Sequence, residues 1–246
     1  MKITVLYVGS SLLAPLKNAE REINRVHQLD LRVSAYNFGS PLSDCEWSDV
    51  EHDLESSNIV FVIHVMDGEN AARLITALER LKPIHDAVIV INCMPELMRR
   101  TRMGKLNVGS FASWMERYAK RDKSKEPQKA AHRHHYLKLI GRLPRILKFV
   151  PTTGALTDAK HYLYLFCYFL QPTPANIQAM LLYALKHYVH DKRLKRLKLR
   201  FAEPENLPAV AIYHPEAPAL FQSFDEYQKW HKDKLDPEST IGLLLM

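Results

Sequence analysis

Apolar positions in the first hundred residues follow two alternating rhythms. Ile3 to Val8, Leu31 to Phe38, Ile59 to Val65 and Ala87 to Asn92 are short runs, two of them almost continuously apolar, as expected for strands covered on both faces. Between them, Leu12 to His27 carries apolar residues at helical spacing, and Asn70 to Leu81 sets Ala71, Leu74, Ile75, Leu78 and Leu81 on one helical face. Strands alternating with amphipathic helices predict a parallel sheet with crossover connections. A fifth strand is predicted at Ala209 to Tyr213, followed by a His214-Pro215 turn and a helix from about Ser223 to Lys232, with Asp225 and Glu226 in its first turn.

From Pro95 to Leu199 the strand rhythm disappears. Helical segments are predicted at Glu96 to Met103, Phe111 to Ala119, His132 to Phe149, Ala155 to Leu170 and Thr173 to His190, with Pro144, Pro151 and Pro172 as punctuation. Lys120 to Ala131 lacks apolar periodicity and is predicted to be a loop. The fold class expected is therefore α/β: a flavodoxin/Rossmann-like parallel sheet of about five strands with a large helical insertion between strands 4 and 5. Residues 1–94 and 200–235 would form the discontinuous α/β domain and 95–199 the insertion. The last residues, Ile241 to Met246, read as a strand just begun, so 236–246 is expected to open a further domain.

Composition narrows the functional classes. Of 246 residues, 47% are hydrophobic and 25% charged, and no apolar run reaches the roughly 20 residues needed to span a bilayer. The amino terminus lacks a cleavage site, which points to a cytoplasmic chain. Three widely spaced cysteines, Cys45, Cys93 and Cys167, argue against a disulfide framework and against a Cys-x-x-Cys metal site. The net charge of +7 is unevenly spread: Met98 to Phe149 holds fifteen Lys and Arg against three acids, so this window carries +12 and the rest −5. Such a stretch fits a solvated face or a dock for an anionic partner, and no nucleic-acid motif accompanies it.

Candidate chemistry is sparse. Gly9-Ser10-Ser11 follows the first strand, but neither a dinucleotide fingerprint nor a P-loop is present, and only eight glycines are available for such loops. His132 and His134-His135 have no carboxylate or cysteine nearby to complete a metal set. A parallel sheet directs its strand-to-helix turns to one edge, so Ser10, His64, Glu96, Arg99 and His214 are expected to converge there, with Arg99, Arg100 and Arg102 as cations at the rim. No catalytic triad, elbow or paired-carboxylate motif is legible, and no catalytic or metal-binding residue is assigned.

Three stretches carry a resemblance. Asn92-Cys93-Met94-Pro95-Glu96-Leu97-Met98-Arg99, running on to Thr101-Arg102-Met103-Gly104, resembles the Met-Pro-Glu-x-Met-Arg motif near the start of the magnesium chelatase H-subunit family. Leu137-Lys138-Leu139-Ile140-Gly141-Arg142-Leu143-Pro144-Arg145-Ile146-Leu147-Lys148-Phe149-Val150-Pro151 is similar to that family's Leu-Pro-basic-x-Leu-Lys-aromatic-x-Pro stretch. Ile212-Tyr213-His214-Pro215-Glu216-Ala217-Pro218, followed by the aromatic helix Tyr227 to His231, is the third match, and order and spacing agree across almost the whole chain.

The resemblance implies the amino-terminal part of a porphyrin-binding subunit several times longer than this chain. There protoporphyrin IX and Mg²⁺ would be substrates, and ATP would be hydrolysed by the AAA+ type I and D partner subunits in chlorophyll or bacteriochlorophyll biosynthesis. It further implies a bacterial cytoplasmic or plastid stromal location, no cofactor in this part of the molecule, and chelating residues beyond Met246. Ser10, His64, Glu96, Arg99, Arg102 and His214 are the expected porphyrin contacts, since a flat macrocycle with two propionates suits an apolar cleft rimmed by cations. A pure interaction module that docks the ATPase subunits or a porphyrin-carrying regulator is the competing expectation.

Overall fold

Valine, isoleucine and leucine supply most of the buried strand positions in the first hundred residues, and alternate side chains feed two separate cores. A computed structural model describes residues 1–9, 12–107, 154–205 and 211–232. The strands are β1 (Lys2–Tyr7), β2 (Arg32–Asn37), β3 (Ile59–Ile63) and β4 (Ala87–Ile91). They pair in parallel in the order β2-β1-β3-β4, with Ile3 opposite both Val33 and Ile59, and Val60 opposite Val88. Every residue of β3 and β4 is buried, because helices cover both faces.

One face presents Ile3, Val5, Phe61, Ile63, Ile89 and Ile91 to α1 (Leu13–His27), α5 (Ala155–Leu170) and α6 (Pro174–Tyr188). The other presents Leu6, Val60, Val62, Val88 and Val90 to α2 (Asp44–Glu55), α3 (Glu69–Arg80) and α4 (Pro95–Met98). The same alternation thus fills two layers. Thr4, the polar residue within buried β1, is satisfied by a 2.6 Å hydrogen bond between its hydroxyl and that of Ser57.

Four sequence expectations change. The helix α2 has no counterpart among the predicted elements, although Ser43 and Glu46 form a capping box in which the Ser43 hydroxyl accepts from the Glu46 N–H and the Glu46 carboxylate accepts from the Ser43 N–H. Glu96 to Met103 is not one helix. It breaks after α4 into a two-residue strand β5 (Arg102–Met103), which turns at Gly104 into β6 (Leu106–Asn107). Both extend the sheet antiparallel, with Val88 opposite Arg102 and Met103 opposite Leu106, so the stretch expected to be wholly helical holds two strands directly after α4. Open backbone on the outer edge of β4 outweighs helical propensity there.

In the expected fifth strand, residues 206–210 lie outside the described ones. Ile212 pairs antiparallel with Phe221 in an isolated bridge, so no described residue of that stretch joins the parallel sheet. The predicted segments Phe111 to Ala119 and His132 to Phe149, the loop Lys120 to Ala131 and the terminal Ile241 to Met246 also fall outside the described residues.

The short helix α7 (Lys192–Arg196) follows α6, and the chain divides into two compact units, Met1–Glu205 and Asn206–Met246. The described part of the second unit is the Ile212–Phe221 bridge and α8 (Phe224–His231), capped by the Ser223 hydroxyl, which accepts from the Glu226 N–H. Among the described residues no helix is long and apolar enough to cross a membrane.

Candidate functional site

The carboxyl ends of β1, β3 and β4 leave the sheet through residues with positive φ: Gly9 at 132°, His64 at 58° and Asn92 at 50°. For His64 and Asn92 this left-handed backbone is a departure from the ordinary range of side-chain-bearing residues, held by the surrounding hydrogen bonds. His64 N–H donates to Ile91 O at 3.0 Å and Met94 N–H to Val65 O at 3.0 Å. Val65 N–H meets the Cys93 sulfur at 3.3 Å. Asn37 ties the neighbouring exit by donating to Gly9 O at 2.8 Å, and Asn70 donates to Ser40 O at 2.8 Å. These bonds set the edge before any ligand arrives.

His64 is half-buried and stands edge-on to Phe169 of α5, with ring centroids 5.2 Å apart. Just inside, the Tyr162 hydroxyl donates to Val90 O at 2.8 Å, supplying a partner where two-residue β5 no longer covers β4. Burial raises the Cys93 thiol to about 11, so it remains protonated and unreactive at neutral pH.

The expected site residues do not all reach this edge. His64 does, and Glu96 and Arg99 lie exposed on and just after α4. Arg100 turns to an ion pair with Glu79 at 3.2 Å. Arg102 lies in β5 opposite Val88, at the other end of β4, where its guanidinium donates to His85 O at 3.3 Å. Burial lowers its pKa, and its charge is committed to the amino-terminal side of the strand. His214 belongs to the second unit and packs against Trp230 at 5.0 Å and His231 at 5.1 Å, accepting the Glu216 N–H at 3.2 Å. Ser10 lies outside the described residues.

A second constellation has no counterpart among the sequence expectations. Asp158 and His161 share a face of α5, three residues apart, and meet His187 and Tyr188 near the end of α6. The Tyr188 hydroxyl donates to Asp158 at 3.0 Å, and His161 Nδ1 is 3.2 Å from the same hydroxyl. Since the single tyrosine proton goes to the carboxylate, the His161 Nδ1–H donates to the Tyr188 oxygen and Nε2 keeps its lone pair. The rings of His161 and His187 lie 4.0 Å apart, and Tyr183 stacks on His187 at 4.4 Å.

Desolvation lowers the pKa of His161. His187 keeps one edge open to solvent, yet desolvation within the ring stack, followed by repulsion from His161 and Lys186, also lowers its pKa. Tyr188 is shifted upward by burial and then by Asp158. The other Asp158 oxygen accepts the Lys105 N–H at 2.7 Å, tying this network to the β5–β6 turn. No group of three or more metal-ligating side chains occurs among the described residues. The Asp158-x-x-His161 spacing was the available signal; its partners on α6 required the fold.

Residues 2–163 match the family described as a domain of unknown function (DUF3479), and residues 166–246 match CobN/Magnesium Chelatase. The chain is 29% identical over 201 residues to the chloroplastic magnesium-chelatase subunit ChlH of Oryza sativa subsp. indica, covering 78% of this chain and 14% of that protein. It is 24% identical over 224 residues to the magnesium-chelatase H subunit of Rhodobacter capsulatus, covering 88% and 18%. Against the corresponding H subunit of Chlorobaculum parvum identity is 30% over 165 residues, covering 64% and 12%. The chain therefore spans less than a fifth of the length of the relatives it matches.

Proposed function

We propose, from the premise that this chain belongs to the magnesium-chelatase H-subunit family and represents its amino-terminal region, that it helps to enclose or deliver the porphyrin into which the whole protein inserts Mg²⁺. In this reading ATP is hydrolysed by the AAA+ type I and D partner subunits, and the product enters chlorophyll or bacteriochlorophyll synthesis. The observation that carries the porphyrin contact is His64, held in a left-handed backbone at the strand edge beside Phe169.

A macrocycle laid against that edge would meet the half-buried imidazole of His64, which Phe169 backs edge-on from the core, while the imidazole and the exposed Arg99 that follows α4 would supply donors for a propionate. Glu96, exposed on α4, would bias the approach toward one propionate orientation by repulsion. Arg102 has no part in this reading, because it lies at the opposite end of β4.

Titration of protoporphyrin IX by fluorescence quenching tests the reading. Removal of the His64 and Arg99 side chains in a His64→Ala/Arg99→Ala variant is expected to weaken binding by roughly tenfold or more, since a charge-assisted contact contributes about 1.5–3 kcal/mol. Arg102→Ala is expected to lower stability and leave binding unchanged. Undetectable binding by the parent chain, or unchanged binding by the folded double variant, would remove the edge from the porphyrin path.

A further inference from the structure

The segment after α6 places six cations in nine residues: Lys192, Arg193, Lys195, Arg196, Lys198 and Arg200, all exposed. Leu194 is 1% exposed, and Leu197, Leu199 and Phe201 pack against the core of the first unit. Their apolar neighbours thus anchor the backbone and turn the charges outward.

Lys186 of α6 reinforces this placement by donating to Leu194 O at 2.6 Å and Leu197 O at 2.8 Å, so the carbonyls at the end of α7 are capped from beneath. Arg193 is paired with Asp30 at 2.8 Å and Asp191 at 3.0 Å. The other five cations make no ion pair among the described residues. Like charges this close repel one another, and an anionic partner would relieve that repulsion.

We infer that this strip is a docking surface for an acidic polypeptide segment. One turn of helix followed by extended chain gives it a length of about 20 Å, enough to face six or seven residues of an extended partner. Two other anionic partners fit less well. None of the large exposed hydrophobic side chains lies between Tyr188 and Glu205, so the strip offers nothing to insert into a bilayer. The ring of Phe201 is engaged edge-on by Tyr183 at 4.9 Å and is not free to stack on a base. The inference goes beyond the porphyrin reading and does not depend on it.

The test uses the full chain and a fluorescein-labelled decaglutamate peptide. Anisotropy is expected to report binding that weakens with salt, and carbodiimide cross-linking with mass spectrometry should map the peptide onto Lys192, Lys195 and Lys198. Reversal of three charges in Lys195→Glu/Lys198→Glu/Arg200→Glu should reduce affinity by about tenfold or more. A control reversal of equal charge, Arg21→Glu/Lys82→Glu/Lys229→Glu, should reduce it far less. The inference is overturned if both triple variants lose affinity equally, if cross-links concentrate within residues 98–149, or if phosphatidylglycerol vesicles or single-stranded DNA displace the peptide from the strip at equal charge. Circular dichroism of the first variant checks its fold, and the neutral Lys195→Gln/Lys198→Gln/Arg200→Gln variant provides the same readout if the reversed one does not fold.

Discussion

The described histidines range from buried to exposed, and the variation has a measurable consequence. His85 is 5% exposed; its Nε2 lies 2.8 Å from Leu54 O, while Nδ1 has no partner, and burial lowers its pKa. His161 and His187 are lowered by desolvation as well, the latter to about 4. In the unfolded chain each would titrate near the ordinary 6.5. As pH falls through that value the unfolded state takes up protons that the folded state resists, so these groups remove stability on acidification and contribute no such loss above it. The expected outcome is a urea midpoint that declines from pH 7 toward pH 5, less steeply in His187→Gln. Identical slopes in the two proteins would show that the imidazole stack does not supply this linkage. Tyr188 and Asp158 set the tautomer of His161, so Tyr188→Phe should change the imidazole signals in a proton–nitrogen spectrum while leaving the helices intact.

Among the elements, the β5–β6 hairpin has the tightest local requirement. Gly104 has φ of 55°, and a Cβ there would lie 2.7 Å from both carboxylate oxygens of Asp158. Gly104→Ala is therefore expected to destabilise the chain by about 1–3 kcal/mol in urea denaturation, combining left-handed strain with displacement of the carboxylate. In an Asp158→Ala background the carboxylate that the added methyl would strike is gone, so the same substitution should cost less; equal costs would show that strain alone acts. The α2 helix supplies a milder case. Ser43→Ala removes the acceptor for the Glu46 N–H and should cost about 1 kcal/mol. Trp47 adds to this element from the other side, since it packs on Phe38 at 5.8 Å and lies under the Arg73 guanidinium at 4.9 Å.

Across the whole molecule, the parts readable from sequence were those governed by neighbours along the chain. β1 to β4 fell where short runs predicted them, and β3 and β4 read as continuously apolar because strands buried on both faces leave no room for polar alternation. α1, α3, α5 and α6 followed the helical period, with Thr173 as the cap of α6. The stretch from Asn92 to Gly104 carried the family resemblance, and the matched relatives bear it out. His64 was legible as a strand-exit residue because a parallel sheet gathers such exits at one edge.

Other features depended on contacts between distant residues. Nothing local showed that Arg102 would pair beside Val88 and leave the rim, since that required an open outer edge on β4. The Asp158–Tyr188–His161–His187 network joins two helices whose relative rotation is set by burial of their apolar faces. The cations from Lys192 to Arg200 were visible as letters, but their outward presentation arose only when Leu194, Leu197, Leu199 and Phe201 packed inward. Sequence alone determined the periodicities and the family; tertiary structure decided which charges met, which protons were shared and which edge each residue reached, because burial and hydrogen-bond satisfaction act between residues far apart in the chain.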